Sequence, residues 1–212
     1  MGRPAALSRE LIIEVAATLV SEHGAEALSA RRLGEALHCD PSALYRHFAD
    51  MDDVQREVGD RFLAGVKVAP RRDEDWLTAV RRICLDLRRV QLRQPRLAAL
   101  VRTAPTRLTN ELRITEALLR ELTRGGFAPA AAAAAYHSLI ELTVGSAAID
   151  ASMAADPPAA RRRAYREWRA AYSQLDPSRF PHAVAIAEHL YEGSADQRFE
   201  HALDALLAGL VA

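Results

Sequence analysis

Apolar residues recur along most of the 212-residue chain at spacings of three and four, the period of a helix burying one face, and no stretch sustains two-residue alternation. The pattern predicts an all-α protein. A first helix runs from about Ser8 to His23 with Leu11, Ile12, Val15, Ala16, Leu19 and Val20 on one face, and Gly24 suits the position just past its end. A shorter helix starts after Ser29, whose hydroxyl can cap it, and continues through Leu37. A third begins with Asp40 as N-cap and Pro41 in the first helical position, where the missing N–H costs nothing, and ends near Phe48. A fourth runs from about Asp50 through Val54, Val58, Phe62 and Leu63 to about Val68, before the break at Pro70.

Beyond Pro70 the pattern predicts five or six further helices. They cover about Asp75 to Gln94, with Trp76, Val80, Ile83, Leu87 and Val90 inward, then Arg96 to Arg102, and Thr106 to Arg124 closed by Gly125-Gly126. Pro129 to Met153, Arg161 to Gln174, Pro181 to Glu192 and Asp196 to the C-terminus follow. Prolines fall mostly between these runs, as expected of helix punctuation.

Composition narrows the class. Half of the residues are hydrophobic and 26% are charged, with 28 Lys+Arg against 28 Asp+Glu. That excludes a disordered tail, a collagen-like fibre and a strongly basic nucleic-acid coat. Cys39 and Cys84 lie far apart, the opening MGRPAALSRE has no apolar signal core, and no apolar run approaches the ~18 residues of a spanning helix. A cytoplasmic location, no disulfide framework and no membrane partner are expected. The zero net charge is a sum of −3 over residues 1–70, +6 over residues 71–124 and −3 over the remainder.

The stretch from Leu28 to Phe48, LSARRLGEALHCDPSALYRHF, carries the chemistry. Two short helices joined by a tight turn within about 20 residues form a helix-turn-helix, whose second helix enters the major groove of DNA. Leu33, Leu37, Leu44 and Phe48 then share a core with the first helix, while Gly34 and Ala36 allow close approach. Left facing outward are Ser42, Ala43, Tyr45, Arg46 and His47, with Pro41 at the helix start. Arg46, Tyr45 and His47 can donate to phosphates, Ser42 can bond a base edge, and the Ala43 methyl can meet a thymine methyl. Ser29 and the N–H groups that follow it make a phosphate site, supported by Arg31 and Arg32. Arg3 could reach an adjacent minor groove. A local charge of −3 implies a shallow salt dependence, since each neutralised phosphate adds about 0.9 to the slope.

These features resemble the tetracycline-repressor-like family of transcriptional regulators. The resemblance rests on the amphipathic first helix ending in Gly24, on Leu28-Ser29-Ala30-Arg31-Arg32-Leu33, and above all on Leu44-Tyr45-Arg46-His47-Phe48. The closing helix Arg198 to Leu207 is similar too. His38 stands where the family usually has Gly in the turn, Asp40 where it often has Ser, and Met51 where a Lys is common.

The resemblance implies an N-terminal DNA-binding domain over residues 1–50, a linking helix over 51–69, and a C-terminal helical bundle over 70–212 for ligand binding and dimerisation. The protein is then a homodimer on a palindromic double-stranded operator, released by a small-molecule effector, with no other cofactor and no enzymatic activity. By position in the family, the dimer helices are Pro129 to Met153, with Ala134, Gly145 and Ala148, and the last helix, with Phe199, Leu203, Leu206 and Leu210. Packing of each stripe inside its own subunit is the alternative. Candidates for the ligand pocket are Trp76, Leu87, Val90, Leu119, His137, Glu141 and Thr143, each of which could equally be ordinary core. Arg81, Arg82, Arg88 and Arg89 read as a solvated helix face, with an anionic inducer such as an acyl conjugate as the alternative. His137 and Glu141 at i, i+4 are too few for a metal site. A helical-bundle enzyme and a protein-interaction module that keeps the helix-turn-helix only as structure are the competing readings.

Overall fold

Ser8, Ser29, Asp50 and Asp75 each accept a hydrogen bond from the backbone N–H three residues on, at 3.2, 3.4, 2.7 and 3.0 Å. These caps set the starts of α1 (Arg9–His23), α2 (Ala30–Leu37), α3 (Met51–Leu63) and α4 (Trp76–Arg93) by satisfying N–H groups that the helix itself leaves unpaired. The computed structural model describes residues 7–102, 105–154 and 157–211, which contain no strand. Arg3 lies outside the described residues. After α4 come α5 (Pro95–Ala98), α6 (Thr109–Arg124), α7 (Pro129–Ala154), α8 (Pro158–Ser173), α9 (Pro181–Ala185) and α10 (Ala195–Val211). The chain divides into two compact units, one running to Ala148 and the other beginning at Ile149.

In the first unit, Ile12, Ala16 and Val20 of α1 are buried together with Leu33, Leu44, Phe48, Val54 and Val58. α1 packs on both α2 and α3. α4 packs on α6, where Val80, Ile83, Leu87, Ile114, Leu118 and Leu122 are buried. Within the second unit, α8 packs on α9 and on the short 3-10 turn Ala187–His189. Tyr165, Trp168, Tyr172 and Tyr191 cluster there, with the Arg198 guanidinium 4.6 Å above the Tyr165 ring.

Several expected elements are shorter than the hydrophobic pattern indicates. The third helix is a six-residue 3-10 helix, Pro41–Arg46, that leads into the buried Phe48. The fourth, α3, stops at Leu63, although Val66 and Val68 are also buried. Apolar residues in a loop packed against a core leave the same sequence signature as another helical turn. The region expected as one helix from Pro181 to Glu192 is a one-turn helix followed by the 3-10 turn.

Two packing expectations also change. Ala36 is exposed and Leu37 only half-buried; the close approach belongs to Gly34, where a Cβ would stand 3.0 Å from the Cys39 carbonyl oxygen and 3.1 Å from Pro41 Cγ. The arginine row of α4 is a solvated face only in part, at the exposed Arg89. Arg88 is 3% exposed and donates to Ser146, Arg82 pairs with Glu74, and Arg89 pairs with Asp86.

Candidate nucleic-acid interface and ligand cavity

The turn between α2 and the 3-10 helix is built from the backbone outward. His38 takes the left-handed conformation, φ 53°, which lets the Cys39 N–H return to the Gly34 carbonyl at 3.0 Å. Asp40 then accepts from the Ser42 N–H at 2.8 Å, and the Ser42 hydroxyl and N–H hold the Asp40 carboxyl below the usual carboxylate range. Its negative charge therefore persists beside any phosphate that Ser42 would meet. Leu44 and Phe48 point into the core, so Ser42, Tyr45 and Arg46 stand exposed, Tyr45 at 50%.

Arg9 fixes the far end of this segment, a role that no sequence spacing signalled. Its guanidinium donates to the His47 carbonyl and, at 2.6 Å, to Glu57 of α3, and lies 4.3 Å over the Phe48 ring. A single side chain thus joins α1, the end of the 3-10 helix and α3. Arg96 of α5 donates to the Ser21 and Glu22 carbonyls at the C-terminal end of α1.

Behind this head, α4, α6 and α7, with the end of α3 and Val101, Arg102, Pro105 and Thr106, line a half-open cavity of about 440 Å³, within the range of small-molecule sites. Its wall is mostly apolar, with Leu63, Leu87, Ile114, Ile140 and Val144. Polar groups enter it from Gln91, Arg102, Glu111 and His137, while the Thr115 and Tyr136 hydroxyls bond each other at 2.9 Å.

Comparison with known proteins gives these two features a lineage. Residues 12–58 match the family described as "Bacterial regulatory proteins, tetR family", and residues 69–212 match the "Tetracyclin repressor-like, C-terminal domain". The chain belongs to the tetracycline-repressor family. Its relatives include the tetracycline repressor protein class C of Escherichia coli, 29% identical over 206 residues that cover 96% of this chain and 90% of the relative. ActR of Streptomyces coelicolor, in a crystal structure with actinorhodin, superposes with a TM-score of 0.87 at 26% identity, covering 98% of each chain. A second Streptomyces coelicolor structure, the transcriptional regulator SCO7222, described as a TetR, has a TM-score of 0.80 at 26% identity over 96% of this chain and 97% of its own. As a member of this family, the protein is a ligand-responsive DNA-binding transcriptional regulator.

In this tetracycline-repressor-family regulator the residues expected at DNA differ in exposure. Ser29, Arg31, Arg32, Ser42, Tyr45 and Arg46 are exposed, and Pro41, Ala43 and His47 are half-buried. Arg31 pairs with Glu35 at 3.0 Å across one helical turn, so its charge is partly engaged within α2.

The pocket candidates divide. Leu87 and His137 line the cavity. Trp76 instead packs edge-on against Phe127, and Val90 sits against Gly65. Thr143 is buried against Cys84, whose thiol burial pushes up to about 12. Glu141 is exposed and Leu119 half-buried, and neither is part of the cavity wall. Helical periodicity identifies an inward face without telling a packed side chain from one that borders a void, so it does not single out Gln91 or Ile114, and Arg102 lies outside any helix.

The dimer candidates also divide. Phe199 and Leu203, together with Leu207, are buried within the single chain, leaving Leu206 and Leu210 half-buried on α10. On α7, Ala134 is exposed, Gly145 and Ala148 are half-buried, and no atom stands within 4 Å of a Cβ built at Gly145. Ile149, one turn beyond Gly145, is 77% exposed.

Among the described residues no helix is long and apolar enough to cross a membrane.

Proposed function

We propose that this protein is a homodimeric repressor whose grip on a palindromic operator is released when a small molecule fills the cavity between α4, α6 and α7. The observation that carries the reading is the clasp between α6 and α3. The first turn of α6, which borders the cavity, is capped by Asp60 of α3, and Arg113 of α6 donates to the Leu63, Ala64 and Val66 carbonyls at the end of α3. A ligand that displaces α6 therefore moves α3, and α3 is bonded through Glu57 and Arg9 to the end of the recognition segment. This is a coupling between two sites, and its strength is the same in both directions.

Residues 1–50 act as the reading head, 51–69 as the link and 70–212 as the effector and dimer domain. Two copies are needed because one short segment reads few base pairs, whereas a two-fold dimer sets two heads about 34 Å apart on one face of DNA. Candidate apolar surface for that interface is Ala134, Gly145 and Ala148 of α7 in the first unit and, separately, Leu206 and Leu210 of α10 in the second. The complex of ActR with actinorhodin supports reading the cavity as an effector site. The protein works in the cytoplasm, without enzymatic activity or a bound cofactor.

The test is retention of a DNA duplex selected by the protein itself from a random pool. Tyr45→Ala and Arg46→Ala should each lose about 1–3 kcal/mol of binding while the fold is kept. Unchanged retention by both folded variants would remove this segment as the DNA reader, and failure to enrich any duplex from the pool would favour a protein-interaction module.

A further inference from the structure

Gln91 is 1% exposed, lines the cavity, and has neither its Oε1 nor its Nε2 hydrogen-bonded. Arg102, also in the cavity wall, has its Nε and Nη2 atoms sealed from solvent and equally without a partner. Buried polar groups in folded proteins are almost always paired, so two such side chains on one void mark groups kept for something that enters it. Nε and Nη2 form one edge of the guanidinium. Their N–H bonds run parallel, at the spacing of the two oxygens of a carboxylate. The carboxylate in the lining, Glu111, accepts from the Arg107 N–H at 2.6 Å and the Thr106 hydroxyl at 3.4 Å. The half-buried Arg102 keeps its Nε and Nη2 without a partner. Burial without a partner also lowers the Arg102 pKa, the direction expected of a cation that lacks its anion.

We infer that the cavity binds a largely apolar small molecule carrying a carboxylate, which docks on the Nε/Nη2 edge of Arg102, while a carbonyl or hydroxyl of the same molecule meets the Gln91 amide. The inference rests on reading this cavity as the effector site. The apolar wall of Leu63, Leu87, Ile114 and Ile140 covers the body of the ligand, and Arg102 fixes its orientation. Size and apolar character alone would admit many compounds; the charged edge selects among them, because a neutral isostere leaves the guanidinium unpaired.

Anthraquinone-2-carboxylate and its carboxamide, matched in size and differing in charge, are the probes, titrated calorimetrically into the full-length protein. The wild type should bind the acid at least tenfold more tightly than the amide. Arg102→Met should bind both with the same weaker affinity, Arg102→Lys should keep a reduced preference, and Gln91→Leu should weaken both probes. Circular dichroism establishes that each variant is folded. An acid bound no better than the amide, binding of neither probe, or a preference that survives Arg102→Met overturns the carboxylate site. Release of the selected duplex, measured in parallel, separates this result from the broader reading. An Arg102-dependent preference with the duplex still held keeps the site and removes its effector role. Release by acid and amide alike keeps the effector role and overturns the carboxylate.

Discussion

Asp60 of α3 accepts three hydrogen bonds from Asn110 at the start of α6, two to the backbone N–H at 3.0 and 3.1 Å and one to the side-chain amide at 2.9 Å. The Glu111 N–H at 2.9 Å and the Thr106 hydroxyl at 3.2 Å complete the set. A buried carboxylate facing several donors at a helix N-terminus is favoured by direct hydrogen bonds and by the helix dipole. The donor helix begins at the cavity wall and the acceptor sits on the helix behind the reading head. One residue pair thus spans the two functions.

Asp60→Asn keeps the shape but presents an NH2 group where only acceptors fit. It should cost about 1–3 kcal/mol of stability, the penalty for an unsatisfied buried group. It should also weaken the response to ligand more than it weakens duplex binding, because the clasp is what transmits displacement. Denaturant unfolding measures the first effect, and duplex release by a bound probe measures the second. A fully stable variant with normal release would show that α6 moves α3 by packing alone.

The Glu74–Arg82 pair gives a pH dependence. Arg82 Nε and Nη2 each donate to a Glu74 oxygen at 2.7 Å, and these bonds hold the Glu74 carboxyl below its usual range. A lowered folded-state pKa means the contribution is fully present above the unfolded glutamate value and is lost as pH falls through the folded value. The Tm gap between wild type and Glu74→Gln should therefore be largest near neutrality and close as pH drops below about 4.5, the ordinary glutamate value. A gap that widens in acid would contradict the assignment.

Backbone geometry in the turn predicts opposite effects at two neighbouring positions. His38→Gly relieves a left-handed non-glycine residue and should stabilise by about 0.5–1 kcal/mol, reduced by the extra freedom of glycine in the unfolded chain. Gly34→Ala drives a methyl against the Cys39 carbonyl and Pro41, and should destabilise by about 1–3 kcal/mol while displacing the recognition segment. Thermal unfolding with duplex binding separates the two. Equal Tm values for both variants would show that the turn tolerates either change.

Local rules made much of this protein legible from its sequence. Caps at Ser29 and Asp40, the period of apolar residues in α1 and α4, and the run from Leu44 to Phe48 are short-range signals, and they determined the all-α class and which side chains of the 41–48 segment are buried. The turn at His38 was legible only through the resemblance, which puts glycine there; the structure shows His38 itself in the left-handed conformation.

Tertiary structure alone decided what depends on distant pairs. Asp60 and Asn110 are 50 positions apart, Arg9 and Glu57 are 48 apart, and no spacing rule connects either pair. Burial separated Phe199 and Leu203 from Leu206 and Leu210, although all four share one apolar stripe in the sequence. Gln91 and Arg102 look like ordinary polar residues in the sequence. Only the packing of α4, α6 and α7 around a void leaves their hydrogen-bonding atoms sealed and unmatched, and it is that mismatch which marks the place of a ligand.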